Sequence, residues 1–243
     1  MCGRFTLRTP ASNLAGWFLR ASLDLNFPQL RPRFNIAPTQ LIACVRRVPA
    51  PGSELEVAQL QWGLVPPWSK DGKSAYSMIN ARSETVHEKP SFRSPFRSRR
   101  CLIVADGFYE WVREGKVKRP FYITMADDQP FCMAGIWERW TAEEKVVESV
   151  AVLTTTANGL MAKIHDRMPV IIPPNEFHRW LEADIPPAKK NDPESDQRAA
   201  TATASLQELL RPFPEEAMDA REVSTYVNSV RNESPECIAE LLD

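Results

Sequence analysis

The sequence predicts an α+β fold: a single domain with a central, mostly antiparallel, bent β-sheet or barrel-like core and peripheral helices. Segments with strand-like patterns dominate the chain, and helices do not alternate with them as they would in a parallel βαβ protein. A length of 243 residues suits one large domain, so we expect residues 1–243 to form one unit. Proline is abundant (21) and glycine scarce (9), which favours rigid turns and leaves little room for a glycine-rich nucleotide loop.

The first half of the chain contains one amphipathic helix and several strands. The helix is predicted over residues 11–21, where Leu14, Phe18 and Leu19 supply apolar positions. Apolar and alternating segments predict strands at Leu41–Val48, Leu55–Leu64, Leu102–Ala105 and Phe108–Trp111. Asp106-Gly107, between the last two, is a turn signal.

The second half continues with strands and ends in short helices. Strands are predicted at Phe121–Met125, Phe131–Trp137 and Val146–Thr155, with a later one at Val223–Val227. Helices are predicted over residues 174–183 and 204–210, with a last helical turn near the end. Residues 185–203 are rich in Pro, Ala, Lys, Asp and Ser, which predicts a flexible surface excursion.

Composition excludes several classes of protein. No stretch approaches the roughly 20 apolar residues that span a bilayer, and the start of the sequence has no apolar signal region. The five cysteines are odd in number and contain no Cys-x-x-Cys pair, which argues against a zinc site or a disulfide framework. We therefore expect a cytoplasmic protein with no metal, no cofactor and no membrane partner, in which Cys44, Cys101 and Cys132 are buried small hydrophobic residues.

Charge is distributed unevenly along the chain. Residues 1–181 carry 24 basic and 17 acidic side chains, whereas residues 182–243 carry 6 basic and 14 acidic ones. A basic body is compatible with a phosphate-backbone partner, although many solvated surfaces show similar imbalances.

Cys2 is the first candidate for chemistry. If Met1 is removed, the chain starts with a free 1,2-aminothiol, whose amine titrates near about 7.7–8.0 and whose thiol near about 8.5. Both nucleophiles are then partly active at neutral pH on adjacent carbons. The alternative is an accidental second residue in a frayed terminus.

Glu110 and His165 are candidate proton carriers. Glu110 lies in an aromatic segment and shares a strand face with Phe108, which predicts a raised pKa, unless it is a surface residue on an edge strand. His165 precedes Asp166, and a His beside a carboxylate can be tuned as a general acid, or it can be a hydrogen-bonded structural residue. His87 and His178 are expected at the surface.

Other segments suit a nucleic acid. In the run 79–85, Asn80 offers an amide and Arg82 a phosphate-binding fork. The arginines and phenylalanines of residues 91–100 could line a groove, or could be a solvated loop anchored by its aromatic side chains. Trp68, in a Pro-Pro loop, could stack on a base or pack against the sheet.

These segments together resemble the SRAP (SOS-response-associated peptidase) family of abasic-site processing proteins. The resemblance covers nearly the whole chain, in order, and rests on these runs: Met1-Cys2-Gly3-Arg4-Phe5, Phe34-Asn35-Ile36-Ala37-Pro38, Trp62-Gly63-Leu64-Val65-Pro66-Pro67-Trp68, Ile79 to Thr85, Arg99 to Trp111, and Ile164 to Pro169. The end of the chain, with Val223-Ser224, Val227-Asn228 and Glu236-Cys237-Ile238, also fits.

The resemblance implies a sensor of abasic sites in single-stranded DNA that bonds covalently to the lesion. It implies a site with Cys2 as nucleophile and with Asn80, Glu110 and His165 as catalytic residues. It places Arg4, Arg82 and Arg167 on phosphates and the lesion, with Pro38, Trp68 and Thr154 lining the DNA groove. The implied adduct is a Schiff base that closes to a thiazolidine, with possible self-processing that releases Met1. We expect a monomer that associates with the nucleoid during DNA damage if the source is bacterial.

A rival function starts from the same terminus. N-terminal-nucleophile hydrolases, including glutamine amidotransferases, also mature to a terminal Cys followed by Gly and use the amine as base. A DNA-binding module without chemistry fits the basic body, but it leaves Cys2, Glu110 and His165 without a role.

Overall fold

The computed structural model describes residues 2–48, 54–115, 117–143, 145–183, 185–186 and 192–241, with the backbone alone at residues 73–74. Within these ranges the strands are β1 Arg4–Leu7, β2 Arg33–Ile36, β3 Leu41–Arg47, β4 Leu55–Trp62, β5 Asn80–Arg82, β6 Arg100–Ala105, β7 Gly107–Glu114, β8 Val117–Met125, β9 Phe131–Ala142, β10 Lys145–Thr156, β11 Arg167–Pro169, β12 Ile171–Ile172 and β13 Met218–Glu222. The α-helices are α1 Ala11–Arg20, α2 Pro90–Ser98, α3 Phe177–Glu182 and α4 Pro193–Gln207.

Two sheets carry these strands. The larger has the order β11-β10-β4-β3-β6-β9-β12, with β5 added beside β10. Because β9 also pairs with β10, five of its strands close on themselves as a barrel: β10, β4, β3, β6 and β9. Its pairs are antiparallel except for β10 with β4 and β10 with β5. The smaller, antiparallel sheet has the order β13-β8-β7-β1-β2. The predicted α+β fold with a barrel-like core and peripheral helices is confirmed.

One hydrophobic core serves both sheets. Phe5 of β1 packs edge-on against Trp62 of β4, with ring centroids 5.2 Å apart, so the smaller sheet is anchored on the barrel. Cys44, Cys101 and Cys132 lie on neighbouring barrel strands and are fully buried and free, as predicted.

The chain crosses from the barrel to the smaller sheet at Asp106. β6 pairs with β3 and β9, whereas β7 pairs with β1 and β8, so the Asp106-Gly107 turn signal marks a crossing between sheets. A Cβ on Gly107 would collide with the phenol ring of Tyr122, which explains why glycine occupies the crossing.

Four local predictions are wrong. Residues 193–203, predicted within the flexible excursion, begin α4, because Asp192 accepts a hydrogen bond from the Ser195 amide (3.1 Å) and Pro193 occupies the first turn. The rest of that excursion lies partly outside the described residues. Residues 204–210, predicted as a separate helix, continue α4 to Gln207.

The arginine-rich run 91–100 is also not an open loop. Most of it forms α2, and Phe96 is buried. Arg100 is buried too, and it donates to the carbonyls of Phe96, Arg97 and Trp180 (2.7 Å each). These two side chains stabilise the fold and cannot line a groove.

The late strand lies earlier than predicted. β13 pairs Met218 with Met125 and ends at Glu222, whereas residues 225–228 form a 3-10 turn. Ser224 opens that turn by accepting from the Tyr226 amide (3.2 Å), which ends the extended segment. No helix in the part of the chain that the structure describes is both long and apolar enough to cross a bilayer.

Candidate active site at the amino-terminal strand

Cys2 lies in a solvent-excluded position just before β1. Its carbonyl accepts a hydrogen bond from Asn80 Nδ2 (2.9 Å), and its Sγ lies 3.9 Å from the Arg4 carbonyl oxygen. The side chain is fully buried. Burial, and after it the negative charge of Glu110, raises the pKa of the Cys2 thiol. The neutral thiol is therefore the resting form.

Glu110 faces the same site from β7. It is only 3% exposed, and burial raises the pKa of its carboxyl, with His165 acting in the opposite direction. The predicted alternation is confirmed, since Phe108 lies in the main core whereas Tyr109 belongs to a second cluster with Trp111 packed against it. The prediction of a buried carboxyl with a raised pKa holds, and the surface alternative does not.

His165 lies between a 3-10 turn and β11, with two partners at one nitrogen. Its Nδ1 is 3.0 Å from the Arg167 amide nitrogen and 2.7 Å from Asp166 Oδ1. The first contact needs a lone pair on Nδ1 and the second needs a proton there. Which of the two contacts forms therefore depends on which ring nitrogen carries the proton.

Arg167 is held by two partners. Its Nη1 and Nη2 donate to Glu84 Oε1 (2.5 Å) and Oε2 (2.9 Å), and Nη2 also donates to the Thr154 carbonyl (2.6 Å). Thr154 itself is fully buried. Its side chain does not reach the surface, and it contributes to the site through the carbonyl that fixes Arg167.

The short strand β5 places Asn80 and Arg82 beside this group. The parallel register of β5 with β10 pairs Asn80 with Val152 and Arg82 with Thr154. Asn80 Oδ1 is buried without a hydrogen-bond partner among the described residues. Arg82 is exposed.

The Arg4 guanidinium is hydrogen-bonded within the fold. Its Nη1 donates to Asn35 Oδ1 (2.7 Å) and to the Val227 carbonyl (3.0 Å), and its guanidinium lies 5.8 Å from the Trp111 ring centroid. In this arrangement Arg4 ties β1 to the carboxyl-terminal part of the chain.

Two loops present the remaining predicted residues. Pro38 is half-buried in the β2–β3 loop, which is fixed by a bond from the Thr39 amide to the Trp62 carbonyl (2.8 Å). Trp68 is 58% exposed on the loop that follows β4. That loop starts at Gly63, whose φ of +119° and contact with the Ala75 carbonyl exclude a side chain.

The predicted residues thus fall into three groups. Cys2, Asn80, Glu110 and His165 are linked by the contacts and charges described above, and Arg82, Thr154 and Arg167 adjoin them through β5, β10 and β11. No hydrogen bond or ion pair in the described part of the chain joins Arg4, Pro38 or Trp68 to Arg82, Thr154 or Arg167. Among the described residues, no cluster of three or more His, Cys, Asp or Glu side chains could hold a metal ion.

Sequence reasoning missed several supporting residues. Glu84 lies inside the quoted run 79–85 but had no assigned role, and the Asp106 carboxylate, assigned only to a turn, holds the end of β1. Tyr76, on the same loop as Trp68, is 74% exposed. An acidic residue two positions after Arg82 could have signalled a partner for an arginine, but nothing in the sequence indicates which one.

Fold and site together define an α+β protein with a cysteine-centred site at its amino-terminal strand. A crystal structure of a Bacteroides thetaiotaomicron protein superimposes with a TM-score of 0.75 at 27% identity, covering 99% of this chain and 100% of that one. A Bordetella bronchiseptica protein gives a TM-score of 0.71 at 25% identity, covering 92% of this chain and 100% of that one.

The family described as SOS response associated peptidase (SRAP) matches residues 1–230, and the chain belongs to that family. The chain is 41% identical over 242 residues to the abasic site processing protein YoqW of Bacillus subtilis, covering 98% of this chain and 99% of the relative. It is 32% identical to the abasic site processing protein HMCES of Xenopus tropicalis, covering 79% of this chain and 60% of that relative.

Proposed function

We propose that this protein processes abasic sites in single-stranded DNA by forming a covalent thiazolidine adduct through Cys2 after Met1 is removed. One observation carries the proposal: Cys2 is buried and bonded to Asn80 within a site that also contains Glu110 and His165. The names of the relatives at 41% and 32% identity support the choice of an abasic site as substrate. The adduct would shield the lesion during replication.

The first step uses the amine. An abasic deoxyribose is an equilibrium between a closed hemiacetal and a reactive aldehyde. The Cys2 amine attacks C1′ of the aldehyde, a C–N bond forms, and loss of one water gives an imine. The raised pKa of the Cys2 thiol supports this order, because little thiolate is available to attack first.

The second step uses the thiol of the same residue. Sulfur adds to C1′ of the imine and the thiol proton ends on nitrogen, so the step is balanced without another reactant. The ring contains N, Cα, Cβ, S and C1′. Closure is intramolecular, which gives a high effective concentration.

His165 and Glu110 would move the protons. Ring opening needs a proton at the sugar ring oxygen, and we assign it to His165, whose Nδ1 lies against both a backbone amide and the Asp166 carboxylate. We assign the proton relay at the amine to Glu110, because a carboxyl whose pKa is raised by burial can give and take a proton closer to neutral pH. Arg82 and Arg167 would bind phosphates, and Trp68 would stack on a base at the edge of the site. We also expect the protein to act as a monomer.

The test is intact mass after mixing with an abasic oligonucleotide. Wild type should lack Met1 and should gain the mass of the DNA less one water. Cys2→Ala should give no stable adduct, because it lacks sulfur, and Cys2→Ser should give an imine that borohydride traps but no stable ring.

Cys132→Ala is the matched control, since Cys132 is another fully buried free cysteine but lies in the barrel. It should form the adduct as wild type does. An undiminished adduct with Cys2→Ala would refute the proposal. Hydrolysis of glutamine or peptide without any DNA adduct would support the N-terminal-nucleophile hydrolase instead.

A further inference from the structure

Glu84 already occupies the part of Arg167 that a phosphate would use. A guanidinium binds carboxylate and phosphate in the same way, through two parallel N–H bonds. Both terminal nitrogens of Arg167 donate to the two oxygens of Glu84, at 2.5 and 2.9 Å. In the free protein the fork is therefore filled by an internal anion.

The two partners of Arg167 differ in how firmly they are placed. Thr154 lies in β10, between the paired strands β5 and β11. Its carbonyl also accepts a hydrogen bond from the Ser83 amide (2.9 Å). The Glu84 side chain is 46% exposed, whereas that of Arg167 is 11% exposed. Arg167 is thus anchored from the barrel side, and Glu84 covers it from the solvent side.

We propose, on the basis of the proposed function, that Glu84 is a competitor for the phosphate site of Arg167 and is displaced when single-stranded DNA binds. A half-exposed glutamate can rotate into water, whereas Arg167 keeps its bond to the Thr154 carbonyl. The exposed Arg82, in register with Thr154 on β5, gives the DNA a first contact before the exchange. Glu84 thereby lowers the affinity for DNA whose phosphate binds Arg167, because the bonds between Glu84 and Arg167 must break first.

The opposite role for Glu84 is to position Arg167. The two roles predict opposite signs when the charge is removed. If Glu84 is a competitor, Glu84→Gln frees the Arg167 guanidinium and strengthens DNA binding. If Glu84 positions Arg167, Glu84→Gln loosens the guanidinium and weakens DNA binding.

The experiment measures non-covalent binding of a short oligothymidylate without an abasic site, by fluorescence anisotropy over a range of salt concentrations. We expect Glu84→Gln to bind about three- to fivefold more tightly than wild type, the scale of one well-placed surface charge pair. The dependence of log K on log salt should stay close to that of wild type, because Arg167 contacts the same phosphate in both complexes. Glu88→Gln, which removes an exposed charge four positions away, is the matched control and should stay close to wild type.

A second pair of variants separates the exchange from general repulsion. Arg167→Ala should weaken binding, and the gain from Glu84→Gln should vanish in the Arg167→Ala background. The inference is overturned if Glu84→Gln binds no more tightly than Glu88→Gln, or if its gain persists without Arg167. Thermal melting of each variant shows that it is folded.

Failure of the proposed function gives a different result. In that case wild type forms no adduct with an abasic oligonucleotide by intact mass, whatever the oligothymidylate titrations show. If wild type forms the adduct but Glu84→Gln binds DNA no more tightly, only the role proposed for Glu84 is rejected.

Discussion

At the scale of single residues, burial shifts the pKa of two groups in the site in the direction of the neutral form. It raises the pKa of the Cys2 thiol and of the Glu110 carboxyl, and the charge of Glu110 raises the pKa of the thiol further. A buried carboxyl costs stability when it ionises. The role proposed for Glu110 in proton transfer gives a reason for a carboxyl at this position.

Glu110→Gln should raise stability in a pH-dependent way. The folded-state pKa of Glu110 lies above its unfolded value, so wild type is favoured while the carboxyl is protonated and loses stability as pH rises through the raised pKa. Glutamine does not titrate. The variant's advantage in Tm should be small below the ordinary Glu pKa of about 4.3 and should grow as pH rises toward neutral.

The measurement is thermal melting by circular dichroism across this pH range. Glu114→Gln, on the same strand but exposed, should show no comparable trend. A Tm advantage that does not change with pH would contradict the assignment of the shift to Glu110. Adduct formation by Glu110→Gln should be slower than by wild type at neutral pH.

The sequence identifies residues whose chemistry is unusual where they stand, and it misses their partners. Cys2 follows from its place beside Met1, and Glu110 from its aromatic neighbours. Glu84 and Asn35 are ordinary polar residues until the fold brings them to Arg167 and Arg4, which lie 83 and 31 positions away. Long-range contacts of this kind leave no local pattern to detect.

At the scale of elements, apolar runs locate the strands because each strand is buried on at least one face. The failures occur where polar residues have a structural role. Asp192 and Pro193 start α4, and Pro90 occupies the first turn of α2, although such residues also mark loops. Asp106 is a further case, since it indicates a turn and also secures a strand.

Asp106 fixes the end of β1, the strand that begins two residues after Cys2. Its Oδ1 accepts from Thr6 Oγ1 (2.6 Å), and its Oδ2 accepts from the amides of Arg8 (2.6 Å) and Thr9 (2.8 Å) and from Thr9 Oγ1 (2.8 Å). The carboxylate is buried. It thus joins β1 to the crossing from which β7 carries Glu110.

Asp106→Asn should destabilise the protein by about 2–4 kcal/mol. The side-chain amide of asparagine has only one oxygen, so it cannot accept hydrogen bonds at both positions that the carboxylate oxygens occupy. Each lost hydrogen bond to a buried charged group costs about 1.5–3 kcal/mol, and the remaining oxygen recovers part of this. The measurement is urea unfolding. Asp128→Asn, which loses only an exposed pair with Arg8, is the control and should cost less than about 1 kcal/mol. Equal effects of the two variants would contradict a special role for Asp106.

At the scale of the whole molecule, the carboxyl-terminal part of the chain is bonded to the amino-terminal sheet. The Asn35 side chain is fully buried and donates to the carbonyls of Ser229 (2.9 Å) and Asn232 (2.7 Å), while accepting from Arg4. Glu233 accepts from the amides of Phe34 (2.5 Å) and Asn35 (2.8 Å). These bonds join the smaller sheet to residues 229–233, and we propose that residues 1–243 form one domain.

We therefore expect a single cooperative thermal transition, whose Tm falls when Asn35 is changed to Ala. The substitution removes the acceptor of one Arg4 bond and the donor to the carbonyls of Ser229 and Asn232, at a cost of about 3 kcal/mol. In a chain of this size that cost lowers Tm by about 6–12 °C.

Scanning calorimetry measures the change in Tm, and the calorimetric and van't Hoff enthalpies should agree for both proteins. Asn13→Ala, at an exposed position on α1, should leave the Tm near that of wild type. If Asn35→Ala instead separates a low-temperature step from an unshifted main transition, the carboxyl-terminal part is an independent unit and the one-domain prediction fails.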